Sequence, residues 1–180
     1  MIKDKILDEL KKISKTKGSY VFVSAPENYN DTRSFIARYL TSELNLHGVY
    51  VSLNKPTEQI VAEFSEKKVN VKNLHFIDST GKNADKDKRR FHISNNQSLT
   101  ELSLVITYLT KTNNFDFLLF DSVSTLLMYN ELSSVEKFVQ FIINKMRNVG
   151  LTMITFSVDE ENSNKLVSVI SQFCDKVIKV

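Results

Sequence analysis

Six short runs rich in Val, Ile, Leu and Phe recur along the chain, each separated from the next by a longer stretch. This alternation confines the fold more than any other feature. The runs cover 19–24, 49–53, 74–78, 117–121, 151–156 and 176–180. Most are apolar at consecutive positions rather than at every second one, which predicts strands buried on both faces. Between them, residues 32–46, 57–68, 98–111, 133–149 and 164–174 read as helices; Phe35, Ile36, Tyr39 and Leu40 recur at three and four and make one apolar face to lay on a sheet. Strands alternating with helices of this length build βαβ units, so the expected class is α/β, a mainly parallel sheet between two helical layers. The 180 residues suit one domain, 1–180, large enough to cover such a sheet on both sides.

A leading amphipathic helix occupies residues 1–16, with Ile2, Ile6, Leu10 and Ile13 as its apolar stripe and lysines on its other faces. Gly18 and Gly48 each precede a strand, where a helix ending in a left-handed turn is expected. Residues 79–97 form one long basic loop, and loops of that length are usually functional or disordered. No repeat or linker divides the chain. No apolar run reaches the length of a membrane span, and residues 1–5 lack the apolar core of a secretory signal. The single cysteine, Cys174, sits among Ile170, Phe173 and Val177 and reads as a buried structural thiol. A cytoplasmic protein without a membrane partner is the expectation.

The net charge of +3 is unevenly distributed. Residues 1–17 carry six lysines against Asp4, Asp8 and Glu9, and residues 82–92 carry Lys82, Lys86, Lys88, Arg89 and Arg90 against Asp85 and Asp87. Each segment is therefore +3 and the remainder is −3. Lys88, Arg89 and Arg90 are candidate anion contacts, although solvated surface lysines are the commoner meaning. His47, His75 and His92 show no metal-ligand spacing, so no metal site is expected.

The segment Ser24-Ala25-Pro26-Glu27-Asn28-Tyr29-Asn30-Asp31-Thr32 follows the first strand, where a phosphate-binding loop G-x-x-x-x-G-K-[ST] would stand. On that template Ala25 and Asn30 occupy the glycine positions, Asp31 the lysine and Thr32 the magnesium-binding hydroxyl. Asp31 would repel phosphate where a lysine attracts it, and the two Cβ atoms crowd a backbone that must curl against oxygen. The strand Phe117-Leu118-Leu119-Phe120 ends in Asp121-Ser122-Val123-Ser124, the look of a Walker B strand.

Together with Gly18-Ser19-Tyr20-Val21-Phe22-Val23-Ser24, Pro56-Thr57-Glu58 and Thr152-Met153-Ile154-Thr155-Phe156-Ser157, this order of motifs resembles the KaiC-like branch of the RecA superfamily of P-loop ATPases, over residues 17–180. The resemblance implies a three-layer α/β/α RecA-type fold and places Thr32, Asp121 and Ser122 at vestigial nucleotide and magnesium positions. It also implies an acidic pair after the second strand, where this chain has Asn54-Lys55, neither a carboxylate base. Relatives offer a basic residue on a later C-terminal strand, and this sequence stops at Lys179-Val180, before that region.

These departures point to an archaeal-type, non-hydrolysing pseudo-ATPase, not an enzyme, with no ATP or magnesium cofactor. It would act as a regulatory or scaffolding protein through a protein partner or self-association. Two alternatives accompany this reading. One is a nucleotide-binding (ATP) regulatory protein with a non-standard phosphate loop. The other is a nucleic-acid binder using segments 1–17 and 82–92, which the acidic loops at 125–134 and 157–165 argue against. A divalent-ion site built from Asp31, Thr32 and Asp121 without nucleotide was the remaining chemistry open to these residues.

Overall fold

A computed structural model describes residues 2–80, 87–95 and 98–180. Seven strands form a single sheet, β1 Ser19–Ser24, β2 Gly48–Ser52, β3 Leu74–Asp78, β4 Arg90–His92, β5 Phe117–Asp121, β6 Thr152–Val158 and β7 Lys176–Lys179. Their spatial order is β4-β3-β2-β5-β6-β1-β7, and every pairing is parallel. The helices are α1 Ile2–Ile13, α2 Tyr29–Arg38, α3 Thr57–Glu66, α4 Leu99–Thr112, the short α5 Val123–Leu126, α6 Leu132–Val149 and α7 Glu161–Ile170.

Strand pleating sorts the core into two layers. Val21, Val23, Val49, Val51, Leu118, Phe120 and Met153 face α4, α5, α6 and α7. Tyr20, Phe22, Tyr50, Leu119, Ile154 and Phe156 face α1, α2 and α3. Central strands are buried along their length, as consecutive apolar residues demand, while edge strand β7 exposes Lys176 and Lys179. The three-layer α/β/α reading holds, with a sheet that is wholly parallel.

Several local expectations change. The basic loop 79–97 contains β4, which extends the sheet edge through Arg89 O, the acceptor for Phe76 N, and Asp78 O, the acceptor for Ile93 N. Three residues are too few to show a period, and a short charged strand suits an edge. Lys82, Asp85 and Lys86 lie outside the described residues. Helix α2 begins at Tyr29 rather than at residue 32, preceded by a 3₁₀ turn at Pro26–Asn28, and runs on into a π turn at Tyr39–Glu43.

Gly18 and Gly48 do not take left-handed backbone; Gly150, at the end of α6, does, as do Asn45 and Lys68. Gly48 instead lies inside β2, where a Cβ would collide with the Phe117 ring on the neighbouring strand. Gly48→Ala should therefore cost about 3 kcal/mol, the upper end of overpacking because both groups are fixed to adjacent strands. That is a fall in Tm of roughly 6–12 °C. Chemical denaturation of the variant checks it, and Phe117→Leu in the same chain should return part of the loss.

Candidate functional site

Chain direction creates the crevice. After β2 the chain turns to α3 in one helical layer, and after the adjacent β5 it turns to α5 and α6 in the other. The adjacent pair β1 and β6 diverges in the same way, to α2 and α7. Parallel sheets bind ligands outside the carboxyl ends of strands at such switch points. Here the crevice collects Asn54 and Lys55 after β2, Asp121 at the end of β5, Pro26, Tyr29 and Arg33 after β1, and Glu160 after β6.

Most of that crevice is filled by the protein itself. The Asp121 carboxylate, buried, accepts from Tyr29 Oη at Oδ1, and from Tyr50 Oη and Arg33 Nη1 at Oδ2, the last at 3.4 Å. Arg33 is 1% exposed. Its Nη1 also donates to Tyr50 Oη at 3.0 Å, its Nε to Asn30 Oδ1 at 3.1 Å, and its Nη2 to Glu63. Glu63 in turn accepts from Lys55. Cations and anions alternate along Lys55, Glu63, Arg33 and Asp121, so the chain of four closes with no net charge, as burial of ions requires. Phe64 lies under the guanidinium at 5.6 Å, with Tyr50 edge-on to it at 5.1 Å.

The protonation states follow from this packing. Burial, and then the Asp121 charge, push the Tyr29 and Tyr50 phenols well above their usual range, so both remain donors. Burial opposes the charge on Arg33, but Tyr50, Asp121 and Glu63 outweigh it and hold the guanidinium's pKa up. For Glu63, burial is likewise outweighed, by Lys55 and Arg33, and its pKa falls.

The residues singled out from sequence separate into distinct places. Asp31 is on the surface, paired with Lys67 at 2.8 Å. Thr32 is buried, but its Oγ1 has no hydrogen-bond partner among the described residues. Thr32 lines a cavity of about 520 Å³ between α1 and α2, with Lys3, Ile6 and Phe35, and not the crevice of Asp121. The helical register explains this: Tyr29 and Arg33, one turn apart, share the face toward β5, while Thr32 turns toward α1. Asp31, Thr32 and Asp121 are therefore not brought together, and the divalent-ion site proposed for them does not form. Among the described residues no group of three His, Cys, Asp or Glu is arranged to hold a metal.

Ala25 precedes the 3₁₀ turn in extended backbone, and Asn30 serves Arg33. Ser122 bonds Thr125 at 3.1 Å, and Thr125 donates to Asn54 Oδ1 at 2.7 Å, which closes the far side of the crevice. Lys55 serves Glu63. The candidate anion contacts are engaged as well: Arg89 with Asp87 at 3.0 Å, and Arg90 with Glu58 at 2.7 Å. Lys88 alone of the three is exposed and carries no ion pair among the described residues.

Sequence reasoning missed Tyr29, Arg33, Tyr50 and Glu63. One signal was available: Tyr29, Arg33, Ile36 and Leu40 follow the spacing of the buried stripe of α2, and an arginine inside such a stripe needs buried partners.

The crevice departs from a magnesium-nucleotide site in three respects. Both Asp121 oxygens already accept hydrogen bonds, the hydroxyl of Thr32 lines another cavity, and the space remaining among Tyr29, Arg33, Lys55 and Asp121 is about 240 Å³. Ligand pockets usually run to about 300–1,000 Å³.

Residues 18–180 match the model of a family of unknown function, DUF7504. No curated protein matches the chain. A solved KaiC-like protein from the hyperthermophilic archaeon Pyrococcus horikoshii OT3 superposes with a TM-score of 0.64 over 90% of this chain and 70% of that one, at 14% sequence identity. At this identity the likeness establishes the fold, that of a KaiC-like, RecA-type domain.

Proposed function

The chain belongs to DUF7504, a family of unknown function, so its role has to be read from its own site, and we propose that it is a non-hydrolysing, RecA-type pseudo-ATPase with a degenerate phosphate loop. One observation carries this reading: both oxygens of Asp121 are taken by Tyr29, Tyr50 and Arg33, with Arg33 buried in the crevice. A magnesium-binding aspartate must offer a free oxygen to the ion, and hydrolysis needs a cation on the outer phosphates. Here the cation is turned inward onto the aspartate, and Asn54 and Lys55 supply no carboxylate base.

Regulation or scaffolding through protein contacts follows as the function of a frame without its chemistry. Its surface supports that reading: Leu104 and Tyr108, one turn apart on α4, are 64% and 61% exposed, and Phe141 on α6 is 49% exposed. The partner is a second copy or another protein, in the cytoplasm; among the described residues no helix is long and apolar enough to cross a membrane. The nucleic-acid reading loses support from the engagement of Arg89 and Arg90 by carboxylates.

The test is phosphate release from ATP with magnesium by the full chain, beside Asp121→Asn. Equal background rates are expected. Turnover that disappears with Asp121→Asn would overturn the reading.

A further inference from the structure

A third cavity, of about 540 Å³, adjoins the closed network, between the turn after α5 and the first turn of α7. It shares Asn54, Val158 and Glu160 with the smaller space but touches none of Tyr29, Arg33 or Asp121. One side is apolar, formed by Leu127, Met128, Leu132 and Val158.

The other side is the N-terminus of α7. Glu160 stands at its N-cap in extended backbone, and no side chain caps the helix. The first-turn amides of Asn162 and Ser163 thus have no intrahelical acceptor. Ser163 lines the cavity and is 3% exposed, yet its hydroxyl bonds to no other described residue. Its oxygen is open to the cavity rather than sealed in the core, so its partner has to come from what occupies that space. Its neighbours in the same cavity show the contrast, since Ser122 and Thr125 bond each other and Ser124 bonds Ser157. Lys165, 64% exposed, brings a cation whose paired carboxylate, on Glu161, is 3.9 Å away.

Open donors on one wall ask for an anionic group. Glu160 in the same lining, with Asp159 and Glu161 beside it, repels a phosphate or any polyanion and favours an ammonium. We propose that this cavity binds a small zwitterion with an apolar body: an aliphatic or thioether amino acid, or a dipeptide of such residues. Its carboxylate sits on Ser163, the α7 amides and Lys165, its ammonium faces Glu160, and its side chain lies against Leu127, Met128 and Leu132. The volume is in the range of ligand pockets, and a dipeptide fills more of it than one amino acid. This site is independent of the nucleotide reading, and its failure would leave that reading untouched.

Isothermal titration of the full chain with L-leucine, L-methionine and Leu-Leu tests it, with leucinamide and isocaproate as ligands lacking the carboxylate or the ammonium. Leu-Leu or a free amino acid should bind, and each truncated ligand should bind about tenfold more weakly or worse. Ser163→Ala and Lys165→Met should weaken the binding by a similar factor. Glu160→Gln should erase the preference for leucine over isocaproate. Lys165 and Glu160 are exposed, so these two variants keep the wild-type Tm and isolate binding from folding. Comparing Leu-Leu with leucine tells which source of the chemistry is the ligand. No heat from any of the three at about 10 mM, where even a millimolar site is filled, would overturn the proposal, as would equal binding of leucinamide.

Discussion

Replacing Asp121 by alanine is expected to destabilise the folded protein by about 5 kcal/mol, a fall in Tm of roughly 10–20 °C, in buffer free of metal and nucleotide. Removing one partner of a buried ion pair costs about 3–5 kcal/mol, because the other charge stays buried without compensation. The Tyr29 and Tyr50 hydroxyls would also lose their acceptor, at about 1–3 kcal/mol for each buried group left unsatisfied. These costs overlap, because Tyr50 still accepts from Arg33 and Arg33 keeps Glu63, so their full sum is not expected.

The same network makes a second, opposite expectation. Adding Arg33→Met to Asp121→Ala removes the stranded cation, so the double variant should be more stable than Asp121→Ala alone. Exchange of a buried ion pair for apolar side chains is often neutral or better. A coupling of about 2–3 kcal/mol in the double-mutant cycle measures the pair directly. An Asp121→Ala loss within about 0.5 kcal/mol, the range of surface substitutions, would mean that Asp121 does not anchor the network at all. The experiment separates two jobs for one residue: an aspartate kept for magnesium leaves the metal-free fold little changed, whereas one kept for Arg33 does not.

How far the sequence carried depended on the length scale of each signal. Strands β1, β3 and β5 were readable to the residue, because a fully buried parallel strand writes its burial into consecutive positions. The edge strand β4 was hidden because three residues with charged side chains have no period to detect. The start of α2 was misplaced because Pro26 and the asparagines around it read as loop, whereas Pro26 opens a 3₁₀ turn that leads straight into the helix. Gly48 looked like a helix terminator, and its actual reason, the Phe117 ring, lies on a strand that only the sheet order brings alongside.

The site was the least legible part for the same reason. Asp121 and the segment at 25–32 stood out by position in the sequence, and the structure lines one crevice with Pro26, Tyr29, Asn30 and Asp121. What fills it did not stand out, since Arg33, Tyr50, Glu63 and Asp121 come from four separate elements. Asp31 had the wrong charge for a phosphate contact, and repulsion by it gave the sequence-level argument. In the fold Asp31 points at Lys67 on the surface, and Tyr29 and Arg33 are the side chains of this segment that stand on Asp121.

That difference predicts how a repaired loop behaves. Ala25→Gly, Asn30→Gly and Asp31→Lys together restore the signature residues but leave Tyr29 and Arg33 on Asp121, so this three-site variant should remain silent to ATP and magnesium, as should the wild type. Adding Tyr29→Ser and Arg33→Ala frees Asp121 Oδ1, leaves Tyr50 alone on Oδ2 and opens the crevice. The five-site variant should then gain stability from the ligand, about 2.7 kcal/mol at a hundredfold excess over Kd, or roughly 5–10 °C in Tm. Thermal melts of the three proteins with and without nucleotide read this out. The comparison of wild type with the three-site variant stands even where the five-site chain folds poorly. If the three-site variant alone bound, charge at position 31 would be the barrier after all and the buried arginine a bystander; if the wild type bound, with Asp121→Asn abolishing the shift, the network would have to open for nucleotide, and the pseudo-ATPase reading would fall with it.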